Sequence, residues 1–173
     1  YLDVLVPRSL ITSGRDLLNL PVSSEGLCSL RISLGEGSIS NFQKISYSSE
    51  QCLGLLLPRL VEPHAHLDKA FTWKDFPNLS GTYEGAMKAN LEEHENRDKS
   101  KVRFRAEKAL KLGLSNGLRA IRSHVDSFGF IGDQTWDVLL EIKSEWEAKI
   151  ELQLVAMVPL DYWSREKGVT LAK

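Results

Sequence analysis

The chain has 173 residues, of which 42% are hydrophobic and 26% charged, and its net charge is −1. This is the balance of a globular chain, either one ordinary domain or part of a larger one. It excludes a disordered tail, a polybasic nucleic-acid binder and a segment drawn to anionic membranes. Cys28 and Cys52 are the only cysteines. They make no disulfide framework, so a reducing, cytoplasmic setting is expected. No apolar run approaches the roughly 18 residues of a bilayer span, and no basic stretch leads into an apolar core as in a secretory signal.

Residues 1 to about 55 read as a β-rich module. Asp3 to Val6 predicts a first strand. Leu30, Ile32 and Leu34 alternate with Arg31 and Ser33, the period-2 pattern of a half-buried strand. Gly35-Glu36-Gly37 supplies a turn, and Ile39, Phe42 and Ile45 mark a second strand of a hairpin. The Ser-rich stretch from Tyr47 to Glu50 reads as a loop. The pattern changes after that. Leu55 to Leu57 lead into Leu60-Val61-Glu62-Pro63-His64, a short apolar run of the sort that forms a strand buried on both faces.

Two helices are predicted next. In the first, Tyr83, Met87 and Leu91 repeat every four residues. In the second, Val102, Ala106, Ala109 and Leu110 form one stripe, which Asn116-Gly117 ends. Leu118 to Val125 reads as a strand. Asp133 is placed to cap a helix from about Gln134 to Glu147, with Trp136, Leu139, Leu140 and Trp146 on its buried side. Ile150 to Val158 reads as a further strand. Strand, helix, strand, helix, strand argues for parallel βαβ units over residues 56–173, an α/β class.

His64 and His66 carry the chemistry. Residues two apart on a strand share a face, with Cα atoms about 6.5–7 Å apart, close enough for two imidazoles to converge on one metal ion. Both fall at the C-terminal end of their strand, where parallel α/β barrels place their active sites. The spacing alone is equally compatible with two hydrogen-bonded polar residues at a strand end.

The wider context is more specific. The stretch Leu57-Pro58-Arg59-Leu60-Val61-Glu62-Pro63-His64-Ala65-His66-Leu67-Asp68-Lys69 resembles the first barrel strand of the amidohydrolase superfamily, in its cytosine deaminase branch. Gly81-Thr82-Tyr83-Glu84-Gly85 resembles the entry to that branch's first long helix. Arg122-Ser123-His124-Val125-Asp126 resembles its second strand, and Leu152-Gln153-Leu154-Val155-Ala156 its third. The resemblance implies a portion of a small β-sandwich over residues 1–55, followed by the first three βα units of an incomplete (β/α)8 TIM barrel. It implies one divalent metal ion, zinc or iron, with His64 and His66 as two of its ligands. It also implies hydrolytic deamination of a small cyclic amide or amidine by metal-activated water, with no nucleic-acid or membrane partner.

The same resemblance brings His124 to the site mouth, beside the metal shell or the substrate, with Asp126 near it. The alternative for His124 is a buried histidine satisfied by Asp126. Asp68 either orients His66 or caps the following loop. Lys69 reads as a solvated or substrate-facing side chain. His94, among Glu92, Glu93 and Glu95, reads as a surface residue. The four tryptophans and the two cysteines read as packing residues.

Two departures from the family stand out. Where the branch carries a pyrimidine-reading glutamine after its third strand, this chain has Met157-Val158-Pro159-Leu160-Asp161. The expected substrate is therefore a related cyclic amide, amidine or triazine-like ring. A full barrel takes about 250 residues, so the later metal ligands and the catalytic glutamate have no counterpart here and no catalytic residue is assigned. The chain alone is expected to be inactive, a truncated enzyme or a non-catalytic, partner-dependent remnant. Its unpaired sheet edges predict aggregation or homo-oligomers.

Overall fold

The computed structural model describes residues 1–12, 19–46 and 53–172. The predicted Tyr47–Glu50 loop and Cys52 lie outside them. The chain divides into two compact units, Tyr1–Pro58 and Arg59–Lys173.

The first unit is a sheet of β1 (Leu2–Pro7), β2 (Leu27–Gly35), β3 (Ser38–Lys44) and β4 (Gly54–Leu55), in the order β3-β2-β1-β4. β1 and β2 are antiparallel, from Leu2↔Ile32 to Pro7↔Leu27. β2 and β3 form the predicted hairpin. Its tip, Glu36-Gly37, has φ of 50° and 76°, the two positive angles that let a two-residue turn match the strand twist. β4 joins β1 in parallel. The alternation on β2 buries Cys28, Leu30 and Ile32 against Val4, Val6 and Leu20. Leu34 departs from the pattern and is exposed, past a register shift at Ser33/Leu34. All of β3 is exposed.

The second unit is a parallel sheet in the order β5-β6-β7, formed by Leu60–Ala65, Leu118–Asp126 and Glu151–Met157. Helices α1 (Tyr83–Glu95) and α2 (Lys99–Ser115) connect β5 to β6. Helix α3 (Gly129–Trp146) connects β6 to β7, and a short α4 (Glu166–Leu171) follows. The core joins Val102, Ala106 and Leu110 of α2 to Val138, Leu139, Ile142 and Trp146 of α3 over Ile121, Val125 and Leu152 of the sheet. Its buried β6 residues, Ile121 and Val125, alternate with Arg122 and His124. Among the described residues, no helix is long and apolar enough to cross a membrane.

Three expectations are corrected. β5 is not buried on both faces. Leu60 and Val61 are 55% and 61% exposed, because β5 has a single strand neighbour and the core covers one face of the sheet. The predicted first helix forms as α1, where Tyr83, Met87 and Leu91 are exposed and the buried residues are Glu93 and His94. α3 starts at Gly129 with no side-chain cap, so Asp133 is an exposed residue inside the helix. Leu140 lies on the exposed side of α3, although Leu139 and Trp146 are buried as expected.

Candidate functional site

His64 of β5, His66 just past its end and His124 of β6 meet at the C-terminal end of the sheet. The ring centroids of His64 and His66 are 5.3 Å apart. His124 stacks on His64 at 4.0 Å, with the rings 18° from parallel, and lies 5.9 Å from His66. The pairing of β5 with β6 jumps from Glu62↔Ile121 to Ala65↔Ser123, one extra residue on β5. A bulge of this kind re-aims the side chains around it, and here it includes His64.

His66 Nδ1 lies 2.9 Å from the His124 carbonyl oxygen. A carbonyl can only accept, so Nδ1 carries a proton, and the contact leaves Nε2 as the ring nitrogen that can face a ligand. His124 Nδ1 is buried with no hydrogen-bond partner among the described residues. Burial, then the neighbouring His64, His66 and Arg122, hold His124 below the ordinary histidine range. His124 therefore favours its neutral imidazole. This donor set fits a divalent ion in part only. Among the described residues no group of three or more His, Cys, Asp or Glu is arranged to hold one, whereas a catalytic zinc site uses at least three protein ligands.

Behind the histidines lies a buried ion cluster. Asp68 and Asp126, each two residues past a histidine, share the guanidinium of Arg97 at 2.9 and 3.2 Å. Glu93 takes the other edge of Arg97 and also pairs with Arg105. Lys69 Nζ donates to both oxygens of Asp126 at 2.7 Å. Three carboxylates thus face three cations, which is what allows charge to sit in a dry interior. Burial raises the Asp68 carboxyl against the pull of Arg97 and Lys69. Burial raises Asp126 too, but Lys69 and Arg97 overcome it and hold that carboxyl low.

These contacts correct several readings of single residues. Asp68 makes no hydrogen bond to the His66 ring, which is held by the His124 carbonyl, and it does not cap the loop. Asp126 engages Lys69 and Arg97 and leaves His124 alone. Lys69 is neither solvated nor turned to a substrate, with its side chain 15% exposed. His94 is buried and stacks on Phe128 at 4.4 Å. Arg97, Arg105, Glu93 and Ser123 were not singled out in the sequence. The signal for Glu93 and Arg97 was a Glu and an Arg four apart at a helix end, which ordinarily marks a solvated pair.

No family model matches the chain. It is 31% identical over 147 residues to a pterin deaminase of Rhizobium rhizogenes, covering 81% of this chain and 34% of that protein. Among solved structures it is similar to a 5-methylcytosine deaminase of Klebsiella pneumoniae liganded with 5-fluorocytosine, with a TM-score of 0.60 and 26% identity over 75% of this chain and 33% of that one. The chain is related to deaminases of the amidohydrolase superfamily. The fold is also that of an N-isopropylammelide isopropylaminohydrolase of Burkholderia multivorans, with a TM-score of 0.53 at 20% identity over 91% of this chain and 38% of that one. The chain thus spans about a third of the length of each of these proteins. Its amidohydrolase relatives are enzymes that act on small molecules.

Proposed function

We propose that residues 56–173 are the first three βα units of a (β/α)8 barrel, that residues 1–55 are part of its β-sandwich, and that the chain carries one half of the metal centre of a hydrolytic deaminase. The observation that carries this reading is the pairing of His64 with His66 at the strand end, with the His66 proton committed to a carbonyl and Nε2 left free. One zinc or iron ion would be held by Nε2 of His66 and by His64, with further ligands supplied from outside these 173 residues. Such an ion, when bound, lowers the pKa of a water toward neutrality and provides the hydroxide that hydrolysis needs. His124 stacks on His64, beside the proposed ligands.

The substrate is a nitrogen heterocycle with an exocyclic amine on an amidine carbon, which leaves as ammonia. A pterin-like ring is the first candidate, since a relative is a pterin deaminase and the pyrimidine-reading glutamine is absent after β7. A second reading, a metal-binding piece with no turnover of its own, is favoured by the lack of a third ligand among the described residues.

Calorimetry with zinc tests the centre. One Zn²⁺ should bind per chain, weakly, and His64→Ala or His66→Ala should abolish it. A wild-type chain that binds no zinc sinks the metal-centre reading. Ammonia release from pterin or cytosine by the 173-residue chain, above a metal-only control, would instead sink the half-site reading.

A further inference from the structure

The register of β5 against β6 fails where the histidines are. The extra residue on β5 falls between Glu62 and Ala65, and this interval contains Pro63, which has no N–H to donate. β6 against β7, by contrast, runs unbroken from Ala120↔Glu151 to Asp126↔Met157. The end of β5 therefore lacks the regular backbone bonding that fixes its neighbours, yet the histidine pair is mounted there.

Side chains replace what the backbone omits. Leu67 N–H donates to Ser123 Oγ at 3.0 Å, and His66 donates to the His124 carbonyl. Just beyond, one guanidinium bridges the two strand ends, with Arg97 Nη1 on Asp68 and Nη2 on Asp126. The Arg97 side chain is wholly buried. Its remaining edge is held by Glu93, with Nε at 3.2 and 3.0 Å from the two carboxylate oxygens, and Arg105 holds Glu93 from the far side. The anchor is thus fixed to α1 and α2 and cannot drift with either strand end.

We infer that Arg97 is a positioning residue for the histidine cluster. Its planar fork sets the separation of Asp68 and Asp126, and with it the reach of His66 to the His124 carbonyl, so that Nε2 of His66 is the nitrogen left for a ligand. Arg97 touches none of the three site histidines. A lysine would keep the charge but present a point rather than a fork, and it could not hold two carboxylates in fixed directions. The consequence for metal binding rests on the proposed metal centre; the consequence for the His66 tautomer does not.

The test uses the ¹⁵N-labelled 173-residue chain. Long-range ¹H–¹⁵N spectra of the imidazoles report which nitrogen of His66 carries the proton, and calorimetry reports Zn²⁺ affinity. The wild type should show Nδ1–H. Arg97→Lys should give a mixture of tautomers and weaken zinc about tenfold or more, the usual scale for losing a residue that orients a ligand. Asp68→Asn keeps the side-chain shape, removes one gripped charge and should move both readouts the same way. Arg103→Met, which removes an exposed α2–α3 ion pair, should move neither. If Arg97→Lys does not fold by circular dichroism, Asp68→Asn decides. Folded variants that keep Nδ1–H and bind zinc within twofold of wild type overturn the inference, as does a wild-type His66 protonated on Nε2. A wild type that binds no zinc defeats the proposed centre alone, and the tautomer then decides the role of Arg97.

Discussion

At Gly132 a missing side chain lets α3 lie against the end of β6. A β-carbon there would stand 3.0 Å from Ser127 C and 3.3 Å from both Asp126 O and Ser127 Cα. All three are backbone atoms, which cannot swing aside. Alanine is the better helix former by about 1 kcal/mol, whereas overpacking a tight contact costs typically about 1–3 kcal/mol. The steric cost should win, so Gly132→Ala should lower the unfolding free energy by a net of about 1 kcal/mol, seen as a lower urea midpoint. A raised midpoint would mean that α3 is free to slide. The residues least legible in the sequence are of the same kind, because their role is fixed by something distant. Arg97 stands 29 residues from both Asp68 and Asp126. Within its own segment it is one charge among several at a helix end, which ordinarily faces water. Nothing local marks it as the bridge between two strand ends, and the neighbouring His94 is misread for the same reason.

Helix α2 was legible at its C-terminal end because the signal is local. Asn116-Gly117 stops it, with Gly117 at φ 82°. At its start Asp98 accepts from Ser100 Oγ at 2.6 Å and from Lys101 N at 2.8 Å. The first of these bonds, then the second, hold the Asp98 carboxyl down at about 2, against 3.8 for the free group. A carboxyl depressed in the folded state stabilises the fold above the unfolded value and ceases to do so as the pH falls through the folded one. The stability gap between wild type and Asp98→Ala should therefore be full at pH 6 and largely closed near pH 2. A gap of equal size at both values would show that the charge on Asp98 does not matter to the cap. α3 lacks such a signal, since Phe128 makes no side-chain cap, and the first capping residue available to a reader of the sequence was Asp133, inside the helix. α1 was legible as a helix, but not in what covers it. The spacing of Tyr83, Met87 and Leu91 shows which residues share a side, but whether anything covers that side is decided by other parts of the chain.

At the scale of the molecule, the order of strands and helices followed from the alternation of periods along the chain, since a parallel strand must be reached through a crossover. Burial of the sheet did not follow, because it depends on what flanks the strands on each side. Among the described residues β5 and β7 each have one strand neighbour, and Leu60, Val61 and Val155 are exposed along them. Unpaired strand edges with apolar side chains recruit further strands, either from another copy or from any chain with a free edge. The 173-residue chain should therefore self-associate between micromolar and millimolar concentrations, the range in which such surfaces meet. Placing a charge on each edge, as Val61→Lys with Val155→Lys, should shift sedimentation toward monomer while leaving the helical signal in circular dichroism unchanged, since neither side chain belongs to the buried core. A wild type that stays monomeric across that range would mean that both edges are already protected. Association that persists unchanged in the double variant would move the contact to the exposed Tyr83, Met87 and Leu91 side of α1.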